Sequence, residues 1–185
     1  KAIMELAKGE MSEELANHDW NQSVAEYTER IYNKSASLFS TGAECGAILS
    51  GANESTIHAL KDYGYNLGMA FQIMDDVLDF LGNEDELGKP VGNDLLQGTI
   101  TLPCLLFVKQ YPTHPLVKRL KKGSEDLGDL KNMVELVGNS SLIDEALATA
   151  YDYRDQAVRS LAPIEQNRSY ESLIELAEYV TSRRS

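Results

Sequence analysis

Cysteine is scarce in this chain: Cys45 and Cys104 are the two among 185 residues, and they form no C-x-x-C pair. Both lie in apolar surroundings, which reads as buried structural thiols in a reducing, cytoplasmic setting. Basic charge is also short, with 17 Lys and Arg against 29 Asp and Glu and a net charge of -12. A nucleic-acid binder needs a basic face, so no nucleic-acid partner is expected. Long apolar runs are missing too. The longest, Leu102-Pro103-Cys104-Leu105-Leu106-Phe107-Val108, is far below the ~20 residues that cross a bilayer. No transmembrane segment or secretory signal is visible. The histidines, His18, His58 and His114, share no spacing, so no Ser/His/Asp, Cys/His or zinc arrangement can be assembled.

Strand-like alternation is absent and a period of 3.6 dominates, so the chain is predicted to be all-α and a single domain or part of one. Apolar residues make up 43% and charged residues 25%, an ordinary globular balance. Helices are expected over residues 1–17, 21–49, 54–81, 101–109, 116–121, 127–137, 140–161 and 170–180. Residues 82–98 are expected to be a loop, punctuated by Gly82, Gly88, Pro90, Gly92 and Gly98. The opening Lys1-Ala2-Ile3-Met4 has no initiator Met and no cap. It reads as a helix entered part-way, and a piece of a longer protein is expected.

The densest chemistry lies in Gly68-Met69-Ala70-Phe71-Gln72-Ile73-Met74-Asp75-Asp76-Val77-Leu78-Asp79-Phe80. At ~100° per residue, Gln72, Asp75, Asp76 and Asp79 share an arc of ~100°. Ala70, Ile73, Met74, Val77, Leu78 and Leu81 are expected opposite. Two readings stand. One is an acidic, solvated face. The other is a Mg²⁺ site, because that ion takes oxygen ligands and often pairs one or two carboxylates with substrate phosphates. Asp75 and Asp79, one turn apart, present such a pair. Clustered Asp is a weak helix former without a compensating Lys at i+4, which favours the second reading.

Lys34 interrupts the apolar stripe Val24, Tyr27, Ile31, Leu38, with Ser35 beside it. It either snorkels from the stripe's edge or points a cation into a cavity. Lys89, in Gly88-Lys89-Pro90-Val91-Gly92-Asn93-Asp94, comes just after the acidic helix. The segment is no Walker A loop, since the spacing is wrong and a helix precedes it. It is either a plain surface loop or a cover that carries a cation over a bound anion.

Phe71-Gln72-Ile73-Met74-Asp75-Asp76-Val77-Leu78-Asp79 resembles the second aspartate-rich motif of the trans-polyprenyl diphosphate synthases. Gly9-Glu10, Lys34-Ser35-Ala36-Ser37-Leu38-Phe39, the Gly88–Gly98 loop and Thr101-Leu102-Pro103 are similar to further elements of that family, in the family's order. The resemblance implies an isoprenoid-synthase helical bundle, typically homodimeric. It implies Mg²⁺ held with Asp75, Asp76 and Asp79, Asp75 being the most direct ligand. Lys34, Ser35, Gln72 and Lys89 are implied in binding substrate, and Lys34, Asp75 and Asp76 in catalysis.

The implied reaction condenses an allylic prenyl diphosphate with isopentenyl diphosphate, lengthening the chain by five carbons. The family also carries a first aspartate-rich motif, and no second D-D-x-x-D occurs here. Residues 1–185 are therefore expected to be the C-terminal part of one synthase domain, inactive alone. A non-catalytic partner subunit of a heteromeric synthase is the alternative. A terpene cyclase shares the fold but usually carries an Asn/Ser/Glu metal motif.

Overall fold

The computed structural model describes residues 2–82 and 90–183. Among them all the regular secondary structure is helical. α1 (Ala2–Leu15) and α2 (Val24–Ile31) come first, and a π-helical segment (Tyr32–Ala36) leads into α3 (Ser37–Leu49). The long α4 (Glu54–Leu81) is next, then the single turn α5 (Asn93–Leu96). α6 (Leu102–Gln110), α7 (Pro115–Leu120), α8 (Leu127–Gly138), α9 (Leu142–Ser160) and α10 (Arg168–Ser182) complete the order.

Local chemistry explains the helix starts. Ser23 and Glu26 form a reciprocal capping box: Ser23 Oγ accepts from the Glu26 amide at 3.2 Å, and Glu26 Oε2 accepts from the Ser23 amide at 2.7 Å. The helix expected from residue 21 therefore starts at Val24. Asn53 Oδ1 accepts from the Thr56 amide at 2.9 Å and opens α4.

α4 is the axis of the bundle. α3 and α9 pack along it, and α10 adds a further layer. Gly68 lets the end of the π segment approach closely: a Cβ there would lie 2.6 Å from Ala36 Cα. Leu67, Met69, Ile73, Val77 and Phe80 are buried, each side chain contributing about 1.5–3 kcal/mol.

Several expectations change. The helix expected over residues 21–49 is broken by the π segment, which inserts a residue and rotates the downstream helix by ~100°. Leu38, expected on the core stripe, is consequently 54% exposed, while Ala36 and Ser37 are buried. Leu81, expected on the apolar side of α4, is half exposed at the helix end. Cys45 lies exposed on α3 rather than buried; Cys104 is buried as expected. Residues 93–96, expected as loop, form α5 behind Gly92, whose φ of 70° suits glycine. No helix among the described residues is long and apolar enough to cross a membrane.

Candidate functional site

Lys34 and Ser35 sit in the π segment, an irregularity that often marks functional positions. α1 crosses it at Gly9, where a Cβ would fall 2.4 Å from the Lys34 backbone nitrogen. That close seat brings the next turn of α1 over the lysine, and Lys34 Nζ donates to Glu13 Oε1 at 2.6 Å. Burial lowers the Lys34 pKa, but the hydrogen bond and charge of Glu13 outweigh it and leave the ammonium above its ordinary value.

Three elements meet at Asp76. Ser35 Oγ donates to Gln72 Oε1 at 2.6 Å, and Gln72 Nε2 donates to Asp76 Oδ1 at 3.0 Å. Tyr27 donates its hydroxyl to Asp76 Oδ2 at 2.7 Å. The Ser35 hydroxyl thus fixes which way the Gln72 amide faces. Asp76 is only 3% exposed. Burial pushes its carboxyl up to about 7, opposed by the bonds from Tyr27 and Gln72 and aided by Asp94 and Asp75. Burial first, then the Asp76 charge, raises the Tyr27 hydroxyl well above its usual range.

Asp79 and Asp75 behave differently from Asp76. Asp79, 2% exposed, accepts from the Asp94 amide at 3.0 Å and tethers α5 to α4. Its backbone carbonyl also accepts from the Gly92 amide at 2.7 Å. The Asp75 side chain is 56% exposed and lies 3.5 Å from Arg183. Arg183 also donates to the Phe71 carbonyl at 3.0 Å. Of the two readings of the acidic helix, a solvated face therefore describes Asp75 alone. Lys89 lies outside the described residues.

A polar cavity of about 160 Å³ collects most of these groups: Lys34, Gln72, Asp75 and Asp76 line it, together with Glu13, Tyr27, Arg30, Asp94, Thr99 and Thr101. Ser35 and Asp79 support this wall from behind, through Gln72 and the Asp94 amide. A larger cleft of about 690 Å³ between α9 and α10 contains none of the expected residues.

Sequence reasoning missed Arg30, Glu13 and Arg183, and treated Tyr27 as core. Arg30 lies four residues before Lys34 and Tyr27 seven before it, so helical spacing carried a signal for both. Glu13 and Arg183 arrive by tertiary packing and leave no such signal.

Among the described residues, no three His, Cys, Asp or Glu side chains converge as a ready metal set. The lining is nevertheless chemically suited to Mg²⁺. It offers hard carboxylate oxygens from Asp75 and Asp76 and no imidazole or thiolate. Mg²⁺ is commonly held by one or two carboxylates plus phosphate oxygens and water.

The polyprenyl synthetase family model matches residues 1–137. The chain belongs to the polyprenyl synthetase family. It is 36% identical over 183 residues to a prenyl transferase of Synechocystis sp., covering 99% of this chain and 56% of that protein. It is also 36% identical to heptaprenyl diphosphate synthase component 2 of Bacillus subtilis, covering 100% and 53%. Among solved structures, heptaprenyl diphosphate synthase from Staphylococcus aureus superposes with a TM-score of 0.94 at 32% identity, over 100% of this chain and 58% of that one. A polyprenyl synthase from Caulobacter crescentus, complexed with calcium and isoprenyl diphosphate, gives 0.89 at 37% identity, over 100% and 57%. The all-α fold is that of this family. The chain spans somewhat more than half the length of these relatives.

Proposed function

We propose that this polyprenyl synthetase chain forms the allylic-diphosphate half of a Mg²⁺-dependent prenyltransferase site. The observation that carries the reading is the shared cavity. Lys34 from one helix and Gln72, Asp75 and Asp76 from another line a single polar space. The structure of the Caulobacter relative with a divalent cation and isoprenyl diphosphate supports it by analogy.

In this reading Asp75 and Asp76 would hold Mg²⁺ beside the diphosphate site, and Asp79, the third carboxylate of the motif, stays bonded to the Asp94 amide. When bound, the ion supplies Lewis-acid stabilisation of the departing diphosphate. Lys34 gives up Glu13 and donates to a diphosphate oxygen, and Lys89 is proposed as a second diphosphate-binding lysine. Ser35 and Gln72 hold the Asp76 carboxylate in register. Charge then leaves with the diphosphate as the allylic cation forms, and preorganised donors in a closed site stabilise it best. The double bond of isopentenyl diphosphate attacks the cation, and loss of a proton completes the five-carbon extension. The apolar α4 and α9 faces exclude the water that would quench the cation.

The 185-residue sequence holds one D-D-x-x-D. We propose that it binds the allylic substrate but needs a second aspartate-rich helix for turnover. Incubation with farnesyl diphosphate, labelled isopentenyl diphosphate and Mg²⁺ tests this. Metal-dependent retention of farnesyl diphosphate without elongation is expected. Elongated product from this chain alone contradicts the half-site; no retention of farnesyl diphosphate contradicts the whole reading.

A second reading is favoured by one relative being named as a component of heptaprenyl diphosphate synthase. Here the chain is one subunit of a heteromeric enzyme, and elongation appears only when a different polypeptide is added. A homodimer in the cytoplasm remains the family-based proposal. Exposed Ile3, Met4, Met11 and Leu15 on α1 and Leu49 on α3 support association. A monomer by sedimentation at micromolar concentration would contradict the dimer, and recovery in a membrane fraction would contradict the location.

A further inference from the structure

Arg30 is the buried cation among the described residues, at 4% exposure. Its terminal nitrogens bond only neutral acceptors: the Ile100 carbonyl at 2.8 Å and the Gln22 side-chain oxygen. Its Nε is buried with no acceptor. No carboxylate of the described residues lies within ion-pair distance of it, whereas Lys34 in the same cavity is matched by Glu13. The Tyr27 ring, 5.5 Å from the guanidinium carbon, offers partial compensation. A buried cation without a counter-charge is costly in the absence of a ligand.

Arg30 lines the same cavity as Lys34, with Thr99 and Thr101, which lie on either side of the carbonyl its guanidinium grips. Among the described residues, Arg30 and Lys34 line the cavity together with the carboxyls of Glu13, Asp75, Asp76 and Asp94. A diphosphate carrying Mg²⁺ at the aspartates would find Arg30 as the cation with no carboxylate to displace. The guanidinium fork is planar and suited to bidentate phosphate contact.

We propose that Arg30 binds the diphosphate directly, as a substrate-binding residue at the Thr99–Thr101 end of the cavity. This rests on the reading of the cavity as an allylic-diphosphate site. The competing role is a strut that ties α2 to the segment before α6.

Charge and strut are separated by two variants of the 185-residue chain. Both substituted side chains are too short to keep the bond that Arg30 Nη2 makes to the Ile100 carbonyl, so the strut is lost in each, but R30Q also loses the charge and R30K keeps it. Calorimetric titration with inorganic pyrophosphate at saturating Mg²⁺ reads the difference. R30Q is expected to weaken binding roughly 10- to 100-fold, and R30K to bind at least several-fold tighter than R30Q. Wild-type affinity in R30Q, or equal losses in both variants, overturns the proposal. No binding by the wild type overturns the cavity reading along with it. A variant-free check covers the case in which R30Q does not fold. The ¹⁵Nε–¹Hε resonance of Arg30 is expected to shift when Mg²⁺-pyrophosphate is added, and an unmoved resonance overturns the proposal.

Discussion

Tyr27 and Asp76 are 49 residues apart in sequence, and the Tyr27 hydroxyl donates to Asp76 Oδ2 at 2.7 Å in a buried contact. The bond joins α2 to α4 at the floor of the cavity and holds the second aspartate of the motif at a fixed angle. Tyr27→Phe removes the donor and leaves a buried carboxyl oxygen short of a partner. A loss of about 1–3 kcal/mol is expected, read as a lower urea midpoint. An unchanged midpoint would show that the carboxyl finds another donor.

The Asp76 carboxyl, raised from 3.8 to about 7 by burial, makes stability depend on pH. The folded chain keeps a proton that the unfolded chain loses above about pH 4. This contribution is fully present below that value and is lost as pH rises through about 7. It amounts to about 4 kcal/mol in order of magnitude. Urea unfolding of wild type and Asp76→Asn at pH 5 and pH 8 checks it. The wild type should lose more stability over that interval than the variant; parallel losses would contradict the burial argument. If Asp76 holds Mg²⁺ as proposed, it does so as the carboxylate, and Mg²⁺ affinity should rise over the same range.

Gly9 sets the seat of α1 on the π segment. In Gly9→Ala the new Cβ meets Lys34 backbone at 2.4 Å, and backbone cannot swing aside. A cost of about 1–3 kcal/mol is expected, with weaker pyrophosphate binding as Lys34 shifts. Gly46→Ala on α3 is the contrast, since nothing lies within 4 Å of that Cβ. There a helix-propensity gain of up to about 1 kcal/mol is expected. Thermal denaturation of the pair gives opposite signs if the packing account holds.

Glu13 is bonded to Lys34 at 2.6 Å, so on the proposed reading it competes with substrate for that lysine. Glu13→Gln should tighten Mg²⁺-pyrophosphate binding several-fold, and Lys34→Met should weaken it roughly 10- to 100-fold. Calorimetry reads both. Weaker binding in Glu13→Gln would mean that the glutamate positions the lysine instead of competing for it.

Periodicity reached the fold class and the long α4; for Lys34, Gln72, Asp75 and Asp76 spacing left two readings open, and it was the family resemblance that grouped these residues, which line one cavity. Periodicity did not reach the π segment, because a single inserted residue leaves little trace in a pattern of period 3.6. The cost of that omission was Leu38, placed in the core but exposed. Nor did spacing separate the three aspartates. One helical arc holds all of them, but α2 and α5 cover Asp76 and Asp79 while Asp75 stays open toward Arg183. Cys45 was misplaced for a related reason: apolar neighbours do not make a buried face, and Ile48 and Leu49 on the same helix are exposed with it.

The most direct test of the account is titration of the 185-residue chain with farnesyl diphosphate, with Mg²⁺ and with EDTA, for wild type, Asp75→Asn and Asp76→Asn. The account predicts binding that requires Mg²⁺ and falls at least about 10-fold in each variant. Binding that persists in EDTA, or is equal in all three proteins, would contradict a metal-bridged diphosphate site in this cavity.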